Sequence, residues 1–345
     1  MNKTQTNAPK IKRETKNRIR VDFERTNWFT RFRLKFLTWT SLGKYTVSIF
    51  KFLLLLGISF VILYPFYTKI STSFMSKPDF VDVTVKLIPK RPTLDIYREV
   101  IVQKNYVKAL MNTTTLSLIC ALLQTFICSL IGYGFAKYKF KGSKIFFALV
   151  VLTMIIPHDT LSLSMYMKFR YFDFGFGKEG LMSLLGMKSL NLTKSYWPMV
   201  ALSLGGLAFK NGLYIFMMRQ FFRGVPDELE ESAYIDGYGP FKTFFKIIIP
   251  ISIPMMITIF LFAFAWQWTD NFYVTNLQIT RNVHLLNGIV GIPTTIKTDG
   301  FAGKELYDAA IYNAEALLIM APLLVVYLFC QRYLVQGIER SGIVG

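Results

Sequence analysis

Apolar residues fall in blocks along the chain instead of alternating. Six long runs, at about 47–68, 112–136, 145–165, 196–218, 251–273 and 314–334, are separated by polar connections. A hydrocarbon core about 30 Å thick is crossed by roughly twenty residues of helix, so each run predicts a transmembrane α-helix. Ahead of the first, Trp28, Phe29, Phe32, Phe36 and Trp39 interleave with Arg31, Arg33 and Lys35. Aromatics at headgroup depth with cations toward anionic lipid predict an interfacial helix, with docking of a partner as the alternative. The expected fold class is an all-α integral membrane protein with six transmembrane helices. Residues 1–46 form a basic tail and interfacial helix, and 47–345 the six-helix transmembrane domain. Three connections, about 69–111, 168–195 and 274–313, are too long for simple turns, and long ordered connections usually carry function.

Composition agrees: 52% of the 345 residues are hydrophobic and only 18% charged, where soluble domains carry about a quarter. A net charge of +19 raises nucleic acid as a partner. Its densest patch, however, is Lys3, Lys10, Lys12, Arg13, Lys16, Arg18, Arg20, Arg25, Arg31, Arg33 and Lys35, all before the first apolar run. That is where the positive-inside rule places a cytoplasmic tail, so lipid and not nucleic acid is expected. Roughly forty polar residues before the first run are too many for a cleavable signal peptide. With the tail inside, six crossings return the C-terminus to the cytoplasm and put Lys137, Lys139, Lys141 and Lys144 inside as well. The outer connection 69–111 is less tidy, with Lys69, Lys77, Lys86, Lys90, Arg91, Arg98, Lys104 and Lys108 against Asp79, Asp82, Asp95 and Glu99. Cys120, Cys128 and Cys330 all lie inside apolar runs, so neither a disulfide framework nor a metal-ligand spacing is present.

The most informative polar stretch, about 221–250, joins the fourth and fifth runs. Pro226 suits a first helical turn, and Asp227, Glu228, Glu230 and Glu231 suit its positive end. Gly237 is a natural left-handed stop. Pro240 then opens a second helix with Phe241, Phe244, Phe245 and Ile248 on one side, bounded by Pro250 and Pro254. Glu231-Ser232-Ala233, Asp236-Gly237, Phe244, Ile248 and Pro250 together resemble the EAA loop of ATP-binding-cassette importer permeases. The resemblance implies the type I importer permease fold, with this loop as a coupling helix seated in a cleft of a cytoplasmic ATPase. Glu231 would be the docking acid, Ala233 the small packing residue and Asp236-Gly237 the turn. Ser232 stands where the family has alanine, and Tyr238 where a small residue is usual.

Further segments resemble the maltose-type carbohydrate branch. They are Leu87-Ile88-Pro89-Lys90-Arg91-Pro92-Thr93-Leu94 with Tyr97, Asn112-Thr113, Tyr133-Gly134-Phe135-Ala136-Lys137, Met154-Ile155-Ile156-Pro157 and Gln331 through Gly337. The similarity runs from about Val47 to Gly345. Trp266-Gln267-Trp268-Thr269-Asp270-Asn271 departs from the branch's Trp-Asn, and the connection after it is longer than usual; in the family that connection can reach into the binding protein. The resemblance implies a permease of the bacterial cell membrane translocating a carbohydrate, an oligosaccharide by branch. Its partners would be a second homologous permease, a cytoplasmic ATPase dimer and an extracellular sugar-binding protein. No Gly-x-x-x-x-Gly-Lys-Ser/Thr loop is present, so this chain is not expected to be an enzyme or to hold a cofactor. ATP and magnesium would sit on the partner ATPase. Alternatives are an importer for another small solute or an ion-coupled secondary carrier, though internal repeats and paired intramembrane charges are not evident.

Within the runs, Lys210 and Asn211 are unusual. At 1.5 Å per residue, Lys210 would lie roughly 20 Å from its span's outer end, and Asp270 roughly 5 Å from the outer end of the next. An offset of roughly 15 Å argues against pairing. Lys210 is read either as facing the substrate pathway or as a lysine that snorkels. Trp266 and Trp268 are candidates for stacking on sugar faces, or members of an interfacial aromatic belt with Phe272 and Tyr273. His158, after Pro157, is read as a kink residue and not a proton relay.

Overall fold

The structure, a computed structural model, describes residues 39–174, 180–296 and 300–342. The basic tail and nearly all of the expected interfacial helix lie outside the described residues. Among the described residues the chain is helical, apart from an isolated antiparallel bridge between Phe172 and Leu190. It divides into two units, the first ending at Thr68 and the second beginning at Lys69. The first, as far as it is described, is the body of helix α1 (Trp39–Ser73), whose residues from Gly43 to Tyr67 are all exposed. Pro65 lies inside this helix without ending it.

The second unit contains α2 (Asp95–Gln103), α3 (Tyr106–Lys137), α4 (Ser143–Ile155), α5 (Ser162–Arg170) and α6 (Trp197–Leu204). After these come α7 (Asn211–Arg223), α8 (Glu228–Ile235), α9 (Pro240–Trp268) and α10 (Lys304–Gly342). Helix α3 is central and packs on α6, α7 and α9, while α9 packs in turn on α10. The core between them is built on Tyr133, Tyr214, Met218, Phe222, Phe244 and Met255.

Helices α1, α3, α9 and α10 are each long and apolar enough to cross a membrane. The third and fourth apolar runs depart from the expectation of one helix apiece. Between α4 and α5 the chain bends by 100°. Pro157 causes this, since the residue before a proline is driven out of the helical region, and Ile156 is extended at φ −67°, ψ 121°. His158 follows at the bend, consistent with a kink position.

The fourth run is two helices. Gly206, at φ +70°, ends α6 with Leu207 N–H donating to Leu202 O and Gly206 N–H to Ser203 O, a Schellman stop. Lys210, also left-handed at φ +67°, then opens α7. Hydropathy reads both halves as one run because it does not register backbone handedness.

Helix α9 contains a π turn over Phe244–Ile248, just ahead of Pro250, which has no N–H to give to a regular ladder. The wider turn splits the expected stripe: Phe244 and Ile248 are buried, whereas Phe241 and Phe245 are exposed.

Close approach of α3 and α7 depends on Gly132. A Cβ there would lie 2.6 Å from Met218 Cβ and 3.0 Å from Arg219 N. Gly134, one turn-face away, has nothing within 4 Å. Gly132→Val is therefore expected to cost about 3 kcal/mol through overpacking, lowering the Tm of the purified protein in detergent, while Gly134→Val leaves it within a degree or two. Equal behaviour of the two variants would contradict the crossing.

Candidate functional site

Helix α8 connects α7 to α9 at one end of the second unit. Its first turn carries Glu228, Glu230 and Glu231, acids that suit a helix N-terminus. Pro226 precedes the N-cap Asp227 and so lies just before the first turn expected to hold it. The C-terminus is closed by Gly237 at φ +78°, with Tyr238 N–H donating to Ala233 O and Gly237 N–H to Tyr234 O. The left-handed stop read from the sequence is present.

The candidate docking residues separate by exposure. Glu231, Ser232, Asp236 and Gly237 face outward, and Tyr238 is half-buried beneath the Lys242 ammonium, 3.9 Å from its ring centre. Ala233, the small packing residue, is buried among this chain's own atoms, where it seats α8 on the rest of the unit. Ile235, 87% exposed, and Phe241 add an apolar component beside the acids that sequence reasoning did not single out.

An ion-pair cluster, buried at Lys137 and Glu230 and exposed at Asp227, fixes α8 to α3. The Lys137 side chain, 6% exposed, donates to Val225 O at 2.6 Å and to the Asp227 carboxylate. It also lies 3.5 Å from Glu230 Oε1, on a side chain only 11% exposed. Lys137 holds the Asp227 carboxyl below the usual range, first by that hydrogen bond and then by its charge. Tyr133, one turn earlier on α3, packs its ring 4.9 Å from Phe244 and 5.5 Å from Phe222. In the sequence Lys137 registers only as one of four clustered cations. Its tertiary partners, ninety residues away, carry no local signal.

A second cluster forms at the opposite end of α7, where both helix breaks meet the end of α9. Phe209 lies 4.4 Å from His158, 5.2 Å from Trp266 and 6.2 Å from Tyr273, ring centre to ring centre. Tyr273 and His158 Nδ1 are hydrogen-bonded at 3.2 Å. The Lys210 ammonium lies over the rings of Phe209 and Trp266, at 4.6 and 4.9 Å. The large offset inferred between Lys210 and the end of α9 is therefore incorrect. It assumed an unbroken fourth helix, whereas α7 starts at Asn211 and rises roughly 20 Å from its other end to reach Lys210. The absence of a Lys210–Asp270 ion pair does hold among the described residues.

Of the pathway candidates, Lys210 and Trp266 come together, and both retain exposed surface. Asn211 is buried. Trp268 is 2% exposed and donates its indole N–H to Ile319 O at 3.0 Å, which makes it a core residue. Asp270 accepts the Tyr273 N–H at 3.1 Å in the first turn of the short helix Phe272–Asn276, whose N-cap is Asn271. The long connection after α9 folds back onto the helix ends instead of extending freely. Asn112 donates to His284 O, Leu286 N–H to Thr113 Oγ1 and Gly291 N–H to Glu315.

An acidic helix between two apolar helices, tied to a third and presenting charge and apolar surface outward, suits a membrane protein driven by a partner. Residues 128–340 match the model of the binding-protein-dependent transport system inner membrane component. The chain belongs to this family. Similar curated proteins include the galactooligosaccharides transport system permease protein of Bacillus subtilis (strain 168), 27% identical over 305 residues, covering 88% of this chain and 97% of the relative. The polygalacturonan/rhamnogalacturonan transport system permease protein of the same organism is 27% identical over 310 residues, covering 87% and 98%. Among solved structures, a bacterial ABC transporter involved in the import of the acidic polysaccharide alginate matches with a TM-score of 0.63 at 20% identity, covering 84% of this chain and 97% of that one. This likeness shows the fold.

The protein is thus an inner-membrane component of a binding-protein-dependent transport system with the helical permease fold. The secondary-carrier reading is set aside by that membership. The match begins at residue 128, inside α3, and so includes Lys137, α8 and Lys210.

Proposed function

We propose that this chain is the membrane-spanning permease subunit of an ATP-driven importer for oligosaccharides, delivered by an extracellular solute-binding protein. It pairs with a second homologous permease, and each permease presents a coupling helix to a cytoplasmic ATPase dimer that binds ATP and magnesium. The permease itself performs no chemistry. The observation that carries the reading is α8, a short helix held rigidly by Lys137 with Glu231, Asp236 and Gly237 outward. The carbohydrate assignment is supported by near full-length similarity to permeases named for galactooligosaccharides and polygalacturonan. A cytoplasmic α8 with both termini inside is supported by the charge rule, since Lys137 contacts α8 and continues into the basic connection with Lys139 and Lys141.

Two measurements test this. Deleting the gene should abolish ATP-dependent uptake of one class of oligosaccharide and leave amino-acid and peptide uptake intact. Loss of an amino acid or peptide with all sugars unaffected would overturn the carbohydrate assignment. In whole cells, Lys141→Cys should be protected from an impermeant thiol reagent and Thr294→Cys labelled; the reverse pattern would invert the topology.

A further inference from the structure

We infer that Lys210, with Phe209 and Trp266, forms a subsite for a carboxylate-bearing sugar, so that the oligosaccharide carried is acidic. This deepens the importer reading above and rests on it.

The first observation is the backbone. Lys210 adopts φ +67°, a left-handed conformation that strains an ordinary residue and that glycine adopts freely. The same break already uses Gly206 for this purpose at φ +70°. Four other non-glycine residues share this region, among them Lys194, so the strain marks Lys210 only together with what surrounds its side chain.

The second is the surroundings. Non-helical backbone at membrane depth is tolerated only where protein buries it or where it lines an aqueous cavity. Leu204 at the end of α6, Leu207 in the break and Trp266, which is 47% exposed, all face away from the chain's own core.

The third is charge. The ammonium rests on two aromatic faces, and among the described residues no carboxylate lies within 4 Å of it. Asp159, beside His158, is exposed and forms no ion pair with it. Asp270 gives Oδ1 to the Tyr273 N–H, keeps Oδ2 buried away from any partner among the described residues, and forms no ion pair with Lys210. Cation–π contact covers one side of an ammonium and leaves its remaining N–H bonds for an acceptor. A carboxylate there makes a charge-assisted hydrogen bond in a partly shielded site, where such bonds are strongest. The exposed face of Trp266 offers the adjoining pyranose ring an apolar platform. A neutral sugar uses the platform but leaves the cation uncompensated.

The test is initial uptake in cells carrying the whole transporter, normalised to assembled complex, with labelled oligogalacturonate and a neutral galactooligosaccharide of the same length. The wild type should take up the acidic sugar. Lys210→Met should raise its apparent KM roughly tenfold or more, with assembly unchanged, and Lys210→Arg should recover much of the loss. Acidic uptake that is indifferent to Lys210→Met would overturn the subsite. Uptake of the neutral sugar alone would overturn the acidic assignment and leave the oligosaccharide importer standing. Uptake of neither, with a non-sugar solute transported instead, would overturn both.

Discussion

Replacing Lys137 by methionine is expected to leave the permease in the membrane and abolish uptake. The lysine contacts Asp227, Glu230 and Val225 O together at the junction of α3 and α8. Its removal leaves the Glu230 carboxylate buried without its partner. Breaking a buried pair from one side costs roughly 3 kcal/mol, enough to detach a helix of eight residues from its seat. The Asp227 arm is exposed and screened, so it contributes little to that loss. Methionine keeps the length and apolar stem, and the remaining core on Tyr133, Phe222 and Phe244 holds α3 in place. The measurements are uptake, membrane level and ATP hydrolysis of the reconstituted complex. Hydrolysis should persist without stimulation by the loaded binding protein. The double variant Lys137→Met/Glu230→Gln should recover thermal stability, because both members of the pair are then neutral, yet remain deficient in uptake. Normal transport in Lys137→Met would show that α8 moves α7 and α9 without α3.

Gly237→Asn is expected to release the ATPase without disturbing the permease. Asparagine tolerates the left-handed region that Gly237 occupies, so the Schellman stop survives. Within this chain an added Cβ meets nothing within 4 Å. Any defect therefore arises outside this chain's own packing, as the proposed ATPase contact requires. Glu231→Lys, one turn and a half earlier and also exposed, reverses charge at the same face. Like-charge juxtaposition at an interface costs several kcal/mol, which weakens association by two orders of magnitude or so. Both variants should insert at wild-type level and fail to retain the ATPase on purification. As a control, Ala233→Ser changes a residue buried in the chain itself and should act on stability instead. Retention of the ATPase by both Gly237→Asn and Glu231→Lys would remove α8 as the docking element.

The pattern of apolar runs determined much of this protein on its own. Four of the six runs are continuous helices because a stretch of some twenty apolar residues has one stable form in hydrocarbon, with every backbone group paired internally. The α8 turn was equally legible, since a helix closed by glycine is a local event whose hydrogen bonds span six residues. The proline at 157 signalled a kink for a similarly local reason.

What the tertiary structure alone decided lies at the breaks and the crossings. Hydropathy sums over residues and does not register handedness, so the stop at Gly206 and the restart at Lys210 stayed hidden inside one apolar run. That break placed Lys210 against Trp266 and removed the depth offset from which the lack of pairing with Asp270 was argued. Trp266 and Trp268 are alike in composition and two residues apart. Only the position of α10 determines that Trp268 bonds Ile319 O inside the core while Trp266 stays open. The Lys137 cluster joins residues ninety positions apart, a pairing that depends on α3 and α8 arriving at the same end of the bundle. Local chemistry thus specified the elements, whereas which side chains are exposed, paired or brought together followed from how helices of different lengths cross.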